Sequence, residues 1–228
     1  MNEICSLYHN AVSAHENGAH TISVDEMTGI QALEHKYPDK LVMPGKPARR
    51  EFEYIRHGTI SLIGFFDVAT GRIEAPYLNK TRTEEDFVKA VRKLVETDPQ
   101  ASWTFVCDGL NTHKSDRLVR FVAEQCGITD ELGQKGKAGI LKNLASRTDF
   151  LHDESHRIRF VYTPKHCSWM NQIEIWFGII NRRLLKRKSY LSVEQLKESI
   201  LRFIEQYNVT ASIATNFSFR PEKIFSIL

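Results

Sequence analysis

Two spacings of apolar residues divide this chain. Alternation marks strands, where every second side chain shares a face, and spacings of three and four mark helices. The first alternation is Thr21-Ile22-Ser23-Val24-Asp25, with Ile22 and Val24 set against polar neighbours. A denser apolar run from Thr59 to Val68 turns at Asp67–Gly71 and returns from Arg72 to Leu78, the pattern of an antiparallel hairpin. Phe87, Val91, Leu94 and Val95 predict a helix over 83–96, with Thr83 as N-cap, Asp86 three residues on and Pro99 as stop. Trp103 to Asp108 reads as a short strand on which Thr104, Val106 and Asp108 share a face, broken by Gly109 and Asn111. Leu118, Phe121 and Val122 predict a helix over 115–126 that ends at Gly127. Arg159–Tyr162 is a last strand, closed by Thr163-Pro164. Ile173, Trp176, Phe177, Ile180 and Leu184 then predict a long helix from about Asn171 to Lys188. Ser192 and Gln195 read as a capping box for a final helix whose stripe runs from Val193 to Tyr207.

Three stretches carry weaker patterns. Residues 3–16 form a short helix; residues 36–56, rich in Pro, Gly, Lys and Arg, read as a basic loop or flap; residues 128–157 read as a partly helical, mobile insertion. The order of strands and helices predicts an α/β fold, a mixed sheet flanked by helices, in a single domain. Composition agrees: 228 residues, 42% hydrophobic and 26% charged, describe an ordinary globular protein. The N-terminus lacks the basic start and apolar run of a signal peptide, and no stretch reaches the ~20 apolar residues of a membrane span. Cys5, Cys107, Cys126 and Cys167 are too far apart for a disulfide framework or zinc ribbon, which points to reduced thiols in a cytoplasmic protein. A net charge of +3 permits a polyanionic partner without requiring one.

Three acids stand where chemistry is usually placed. Asp25 ends the first strand, Asp108 ends the middle strand before a turn, and Glu174 lies in the first turn of the helix after the last strand. If the first and middle strands are neighbours, Asp25 and Asp108 lie side by side and the helix delivers Glu174 from above. Carboxylates converging to about 4 Å would repel by on the order of 4 kcal/mol per pair at an effective dielectric near 20. Hard divalent cations, Mg2+ or Mn2+, relieve that repulsion, and two of them can clamp both oxygens of a phosphoryl displacement. Plainer readings stand beside this one. Asp108 alone is a turn former, and Glu174 alone completes a cap begun at Asn171.

The strings around these acids are more specific than their positions. VDEMTGIQALE around Asp25, VCDGLNTHKS around Asp108 and TPKHCSWMNQIEIWFGIINRRL around Glu174 resemble the signatures of mariner-like DDE transposases, closest to the bacterial insertion-sequence branch. The segment Arg49 to Thr59 resembles the lead into that family's second strand. The resemblance implies an RNase H-like catalytic domain over residues 21–228, with residues 1–20 as a short helical leader. It implies a DNA transposase, a metal-dependent endonuclease that hydrolyses phosphodiesters at transposon ends and transfers the 3′-hydroxyl strand to target DNA. Asp25, Asp108 and Glu174 match the three catalytic, metal-holding acids, for two Mg2+ or Mn2+ ions, with Asp25 bridging both. Implied partners are double-stranded DNA, a second copy in a synaptic complex, and a separate N-terminal helix-turn-helix subunit or fragment, in a nucleoid-associated setting without a membrane. Gly109, Cys167 and Met170 depart from the family's usual Asn, Gly and Leu, and the gap from Asp108 to Glu174 is long. The alternatives are a catalytically idle remnant that still binds DNA or partner subunits, and a ribonuclease acting on RNA–DNA hybrids.

Further DNA contacts are expected at His113, His166, Trp169 and Asn171, and along Arg182, Arg183, Lys186, Arg187 and Lys188. His113 has a second reading as a cap of the next helix, and Asn171 as the N-cap of the catalytic helix. Trp169 can stack on an unpaired base or pack under its loop. The basic run complements a helix C-terminus but exceeds what a cap requires, which favours phosphate contact. Lys46, Arg49 and Arg50 are weaker candidates of the same kind.

Overall fold

The computed structural model describes residues 2–37, 42–47, 53–186 and 188–211. Its centre is a five-stranded mixed sheet in the order β3-β2-β1-β4-β5. β1 (Ala19–His35) pairs antiparallel with β2 (Tyr54–Asp67), which pairs antiparallel with β3 (Ile73–Asn79). On its other side β1 runs parallel to β4 (Ser102–Cys107), and β4 parallel to β5 (Ile158–Tyr162). This is the α/β mixed sheet that the periodicity predicts.

The alternation of each strand feeds two cores. Ile22, Val24, Ile63, Phe65, Phe105 and Phe160 face α2 (Glu84–Val95), α3 (Asp116–Gln125) and α4 (Leu144–His152). On the opposite face, α5 (Ile173–Ile180) and α6 (Val193–Ala211) bury Ile173, Trp176, Phe177 and Ile200 against Ile30, Ile60 and Leu62. The expected leader is α1 (Asn2–Glu16); its Ile4 and Tyr8 pack on Val106 and Val161, so it is part of the core.

Local chemistry fixes the helix starts. Thr83 and Asp86 form the predicted capping box of α2, and Ser115 caps α3. Ser192 accepts from the Gln195 N–H, but the Gln195 side chain reaches one residue further back than predicted, to the Leu191 N–H.

Four expectations are corrected. β1 has 17 residues rather than five, because register shifts between Met27 and Ile30 and between Gln31 and Leu33 interrupt its alternation while pairing with β2 continues. β2 begins at Tyr54, inside the expected loop. Residues 128–157 are partly helical, as expected, through α4, but they are built into the fold rather than laid on it, because Leu141 and Leu151 are fully buried in the main core. The helix expected to Lys188 stops at Ile180 and continues as a π-helical turn over Asn181–Leu185. No helix among the described residues is long and apolar enough to cross a membrane.

Candidate active site

Parallel pairing of β1 and β4 brings the first two acids to one edge. Ser23 is level with Val106, and two residues further along each strand stand Asp25 and Asp108, on the same face. Val106 packs with Tyr8 and Met170, so this face lies under α1 and the turn that leads into α5. That turn delivers Glu174, exposed in the first turn of α5.

The three charges feel one another. Burial, followed by the charges of Asp108, Glu174 and Glu26, pushes the Asp25 carboxyl up to about 6, although the Glu26 N–H donates to it at 2.8 Å. Asp108 goes the other way. Burial is the largest single influence and would raise it, but the hydrogen bond and charge of His113, 2.8 Å from its Oδ1, together with the Leu110 N–H and the charge of Lys114, lower it. Asp25, Asp108 and Glu174 offer the oxygen donors that hard divalent cations such as Mg2+ or Mn2+ take, although among the described residues their carboxyl oxygens are not gathered within 4.8 Å of one another.

Asn171 ties the third acid's helix to the first. Its side-chain amide donates to the Val24 carbonyl at 3.0 Å and to Asp25 Oδ2 at 3.2 Å, and its side-chain oxygen accepts from the Ser23 hydroxyl. Ser23 in turn accepts from the Ile173 N–H at 2.9 Å. Asn171 is therefore not the side-chain cap of α5, nor does it meet DNA: it is 1% exposed.

His113 also departs from its expected role. It is 0% exposed, with Nδ1 on Asp108 and Nε2 3.1 Å from Oε1 of Glu26, and it packs on Phe87 at 4.3 Å between centroids. Burial opposes its charge, yet bonds to Asp108, Cys107 and Glu26 hold its pKa well above the ordinary value. Fully buried between two carboxylates, the ring is out of reach of a phosphate. Sequence reasoning misses Glu26. It follows Asp25 in an apolar run and so points to the opposite, core face, where an unpaired charge is not tolerated; that position is the available signal.

The remaining candidates are exposed. Trp169 is 59% exposed, and His166, Arg182, Arg183, Lys186, Lys188 and Lys46 also lie on the surface. Arg187, Arg49 and Arg50 lie outside the described residues.

Gly64 stands opposite Asp25 on β2, beneath α5. A Cβ there would meet Ile173 Cδ1 and Phe177 Cε1, each at 3.1 Å. Overpacking costs about 1–3 kcal/mol and the stiffer unfolded chain returns about 0.4–1. Gly64→Ala is expected to lose about 0.5–2 kcal/mol in urea denaturation. An unchanged urea midpoint would show that Ile173 and Phe177 give way without cost.

With this geometry, comparisons with known proteins become informative. The family of DDE superfamily endonucleases matches residues 20–197. The Mos1 mariner paired end complex with Mn has a similar fold, with a TM-score of 0.50 at 14% identity, covering 96% of this chain and 63% of that one. A pre-cleavage Mos1 transpososome gives a TM-score of 0.52 at 11% identity, covering 96% and 65%. At such identities the likeness is one of fold, and it agrees with an RNase H-like sheet. The chain spans just under two thirds of those chains. No curated protein matches it.

Proposed function

This chain belongs to the DDE superfamily endonucleases, and we propose that it is the catalytic domain of a DNA transposase, comprising residues 21–228, that cleaves phosphodiesters at transposon ends and joins the freed 3′-hydroxyl strand to target DNA. The observation that carries this reading is the parallel pairing of β1 with β4, which sets Asp25 and Asp108 at matching positions on adjacent strands, with Glu174 in the first turn of the helix that Asn171 ties to Asp25. In this proposal Asp25, Asp108 and Glu174 hold two Mg2+ or Mn2+ ions, with Asp25 between them. When bound, such ions activate the attacking water or 3′-hydroxyl and stabilise charge on the phosphate. The chain's own residues set the stage. Asn171 orients Oδ2 of Asp25, and His113 occupies Oδ1 of Asp108 so that its other oxygen is left for a ligand.

Double-stranded DNA would lie across the edge that exposes Trp169 and the basic run, with a second copy holding the other end and a helix-turn-helix subunit recognising the terminal sequence. Removing one cation that neutralises a phosphate should reduce the slope of log K against log salt by about 0.9. The double change Arg182→Ala, Arg183→Ala is therefore expected to lower the slope by about 1–2, measured by fluorescence anisotropy at several salt concentrations. An unchanged slope would assign these arginines to helix termination.

The decisive experiment is a Mg2+ titration of nicking on duplex DNA carrying transposon ends, with an RNA–DNA hybrid in parallel. Mg2+-dependent nicking of the duplex that is lost in Asp108→Asn supports the proposal. Salt-sensitive binding without cleavage indicates an idle remnant, and cleavage confined to the hybrid indicates a ribonuclease.

A further inference from the structure

A second cluster of ligating side chains lies at the start of β1, on the N-terminal side of Asp25. His20 precedes Asp25 by five residues, roughly 17 Å along an extended strand. Beside it are His15, in the last turn of α1, and Asp67, at the end of β2. One ring nitrogen from each histidine and one Asp67 oxygen lie within 4.8 Å of one another, and among the described residues these are the only three His, Cys, Asp or Glu side chains grouped in this way. We propose that His15, His20 and Asp67 bind a single divalent transition cation of the Zn2+ kind, which clips α1 onto the sheet.

Each ligand is set up for this by its neighbours. Oδ1 of Asp67 is used by its own turn, accepting from the Ala69 and Thr70 N–H groups at 2.8 and 3.2 Å, which leaves Oδ2 towards His20. His20 places Nδ1 3.6 Å from Asp67 Oδ2 and Nε2 3.4 Å from Asp98 Oδ2, and its ring is held flat on Trp103 at 4.2 Å. One ring nitrogen facing the site while a carboxylate accepts from the other is the arrangement that orients metal-binding histidines. Nδ1 of His15 is buried and has no hydrogen-bond partner in the fold. Its ring meets His20 edge-on at 5.1 Å.

The spacing also fits. Tetrahedral ligands about 2.0–2.1 Å from zinc sit about 3.4 Å from one another, so the 3.6 Å between His20 and Asp67 is close to that spacing, and His15 would close in from within 4.8 Å. A cleft of about 210 Å³ opens on the cluster and leaves room for a water as fourth ligand. Arg72 lines that cleft but is paired with Glu74 at 3.2 Å. Mixed nitrogen and oxygen donors select a borderline cation, whereas the all-oxygen set further along β1 would select a hard one. The two sites therefore differ in the ion they take as well as in position.

The test is equilibrium dialysis of the chelator-treated chain against Zn2+ in excess Mg2+, with Co2+ absorption reporting ligand geometry. The expected result is one Zn2+ per chain, retained in Asp25→Asn, and a visible Co2+ band typical of four-coordinate nitrogen and oxygen ligands. His15→Gln and His20→Asn should each weaken binding by more than the ~10–100-fold that changes outside the ligand shell cost. Zn2+ should raise the melting temperature of the native chain and not that of His15→Gln. Because His20 packs against the core, His20→Asn perturbs folding as well as ligation; His15 is at a helix end, so His15→Gln, checked for folding by circular dichroism, decides the matter. Zn2+ binding unchanged in His15→Gln, or absence of the one-equivalent site in the native chain, overturns the proposal.

Discussion

Asp25→Asn will make the metal-free protein more stable at pH 8 while reducing Mg2+-dependent cleavage by at least ~10³-fold, more than the loss of one preorganised electrostatic donor costs. The sign follows from linkage. The Asp25 carboxyl sits at about 6 against an ordinary 3.8. Between those values the folded state keeps a proton that the unfolded chain has released, so stability falls as pH rises through that window and the full penalty is present above it. The displacement corresponds to on the order of 3 kcal/mol. Asparagine removes the charge but cannot accept from both the Glu26 N–H and the Asn171 amide, which returns about 1 kcal/mol. A net gain of about 2 kcal/mol is expected in urea denaturation at pH 8, shrinking towards pH 4. Saturating Mg2+ should reverse the order, because a ligand that binds only the folded native chain stabilises that chain alone. A variant that is less stable than the native chain in metal-free buffer at pH 8 would mean that the Asp25 charge carries no penalty in the fold.

His113→Ala should be the most damaging single change outside the acids, at about 3–5 kcal/mol, because it leaves Glu26 buried without a partner as well as opening a cavity beside Phe87. The histidine's folded pKa is raised, so its contribution is complete below its ordinary value of 6.5 and is lost as pH rises through the folded value. Asp108, lowered in the fold, contributes fully above 3.8 and loses its contribution as pH falls through its folded value. The difference between native chain and variant should thus be larger at pH 6 than at pH 9 in paired denaturation curves. A pH-independent difference would reduce His113 to packing alone.

How much of this is readable in the sequence depends on how local each cause is. The faces of β1 and β4 follow from alternation, and with them the approach of Asp25 to Asp108. The α2 cap follows from Thr83 and Asp86. The extent of β1 does not, because its register shifts break the period on which strand recognition relies. α4 leaves little signal because Leu151 is its only fully buried residue, too few for a stripe. The roles of Asn171 and His113 escape for a different reason. Their partners lie 146 and 87 residues away in sequence, at Asp25 and Glu26, and no local pattern reports such a contact. Asn171 beside a helix start looks like a cap until the fold turns its amide to the strand.

Gly64 has a consequence for judging whether relatives of this chain are alive. Copies of mobile elements decay by mutation, and the usual check is whether the three acids survive. In the proposed site the third acid rides on a helix whose Ile173 and Phe177 lie 3.1 Å from where a methyl group at position 64 would stand, on a strand that carries none of the acids. A copy with every acid in place and alanine at this position would pass inspection as intact while its α5 packing is strained, so an inventory of working elements should score the bare backbone at position 64 alongside the charges.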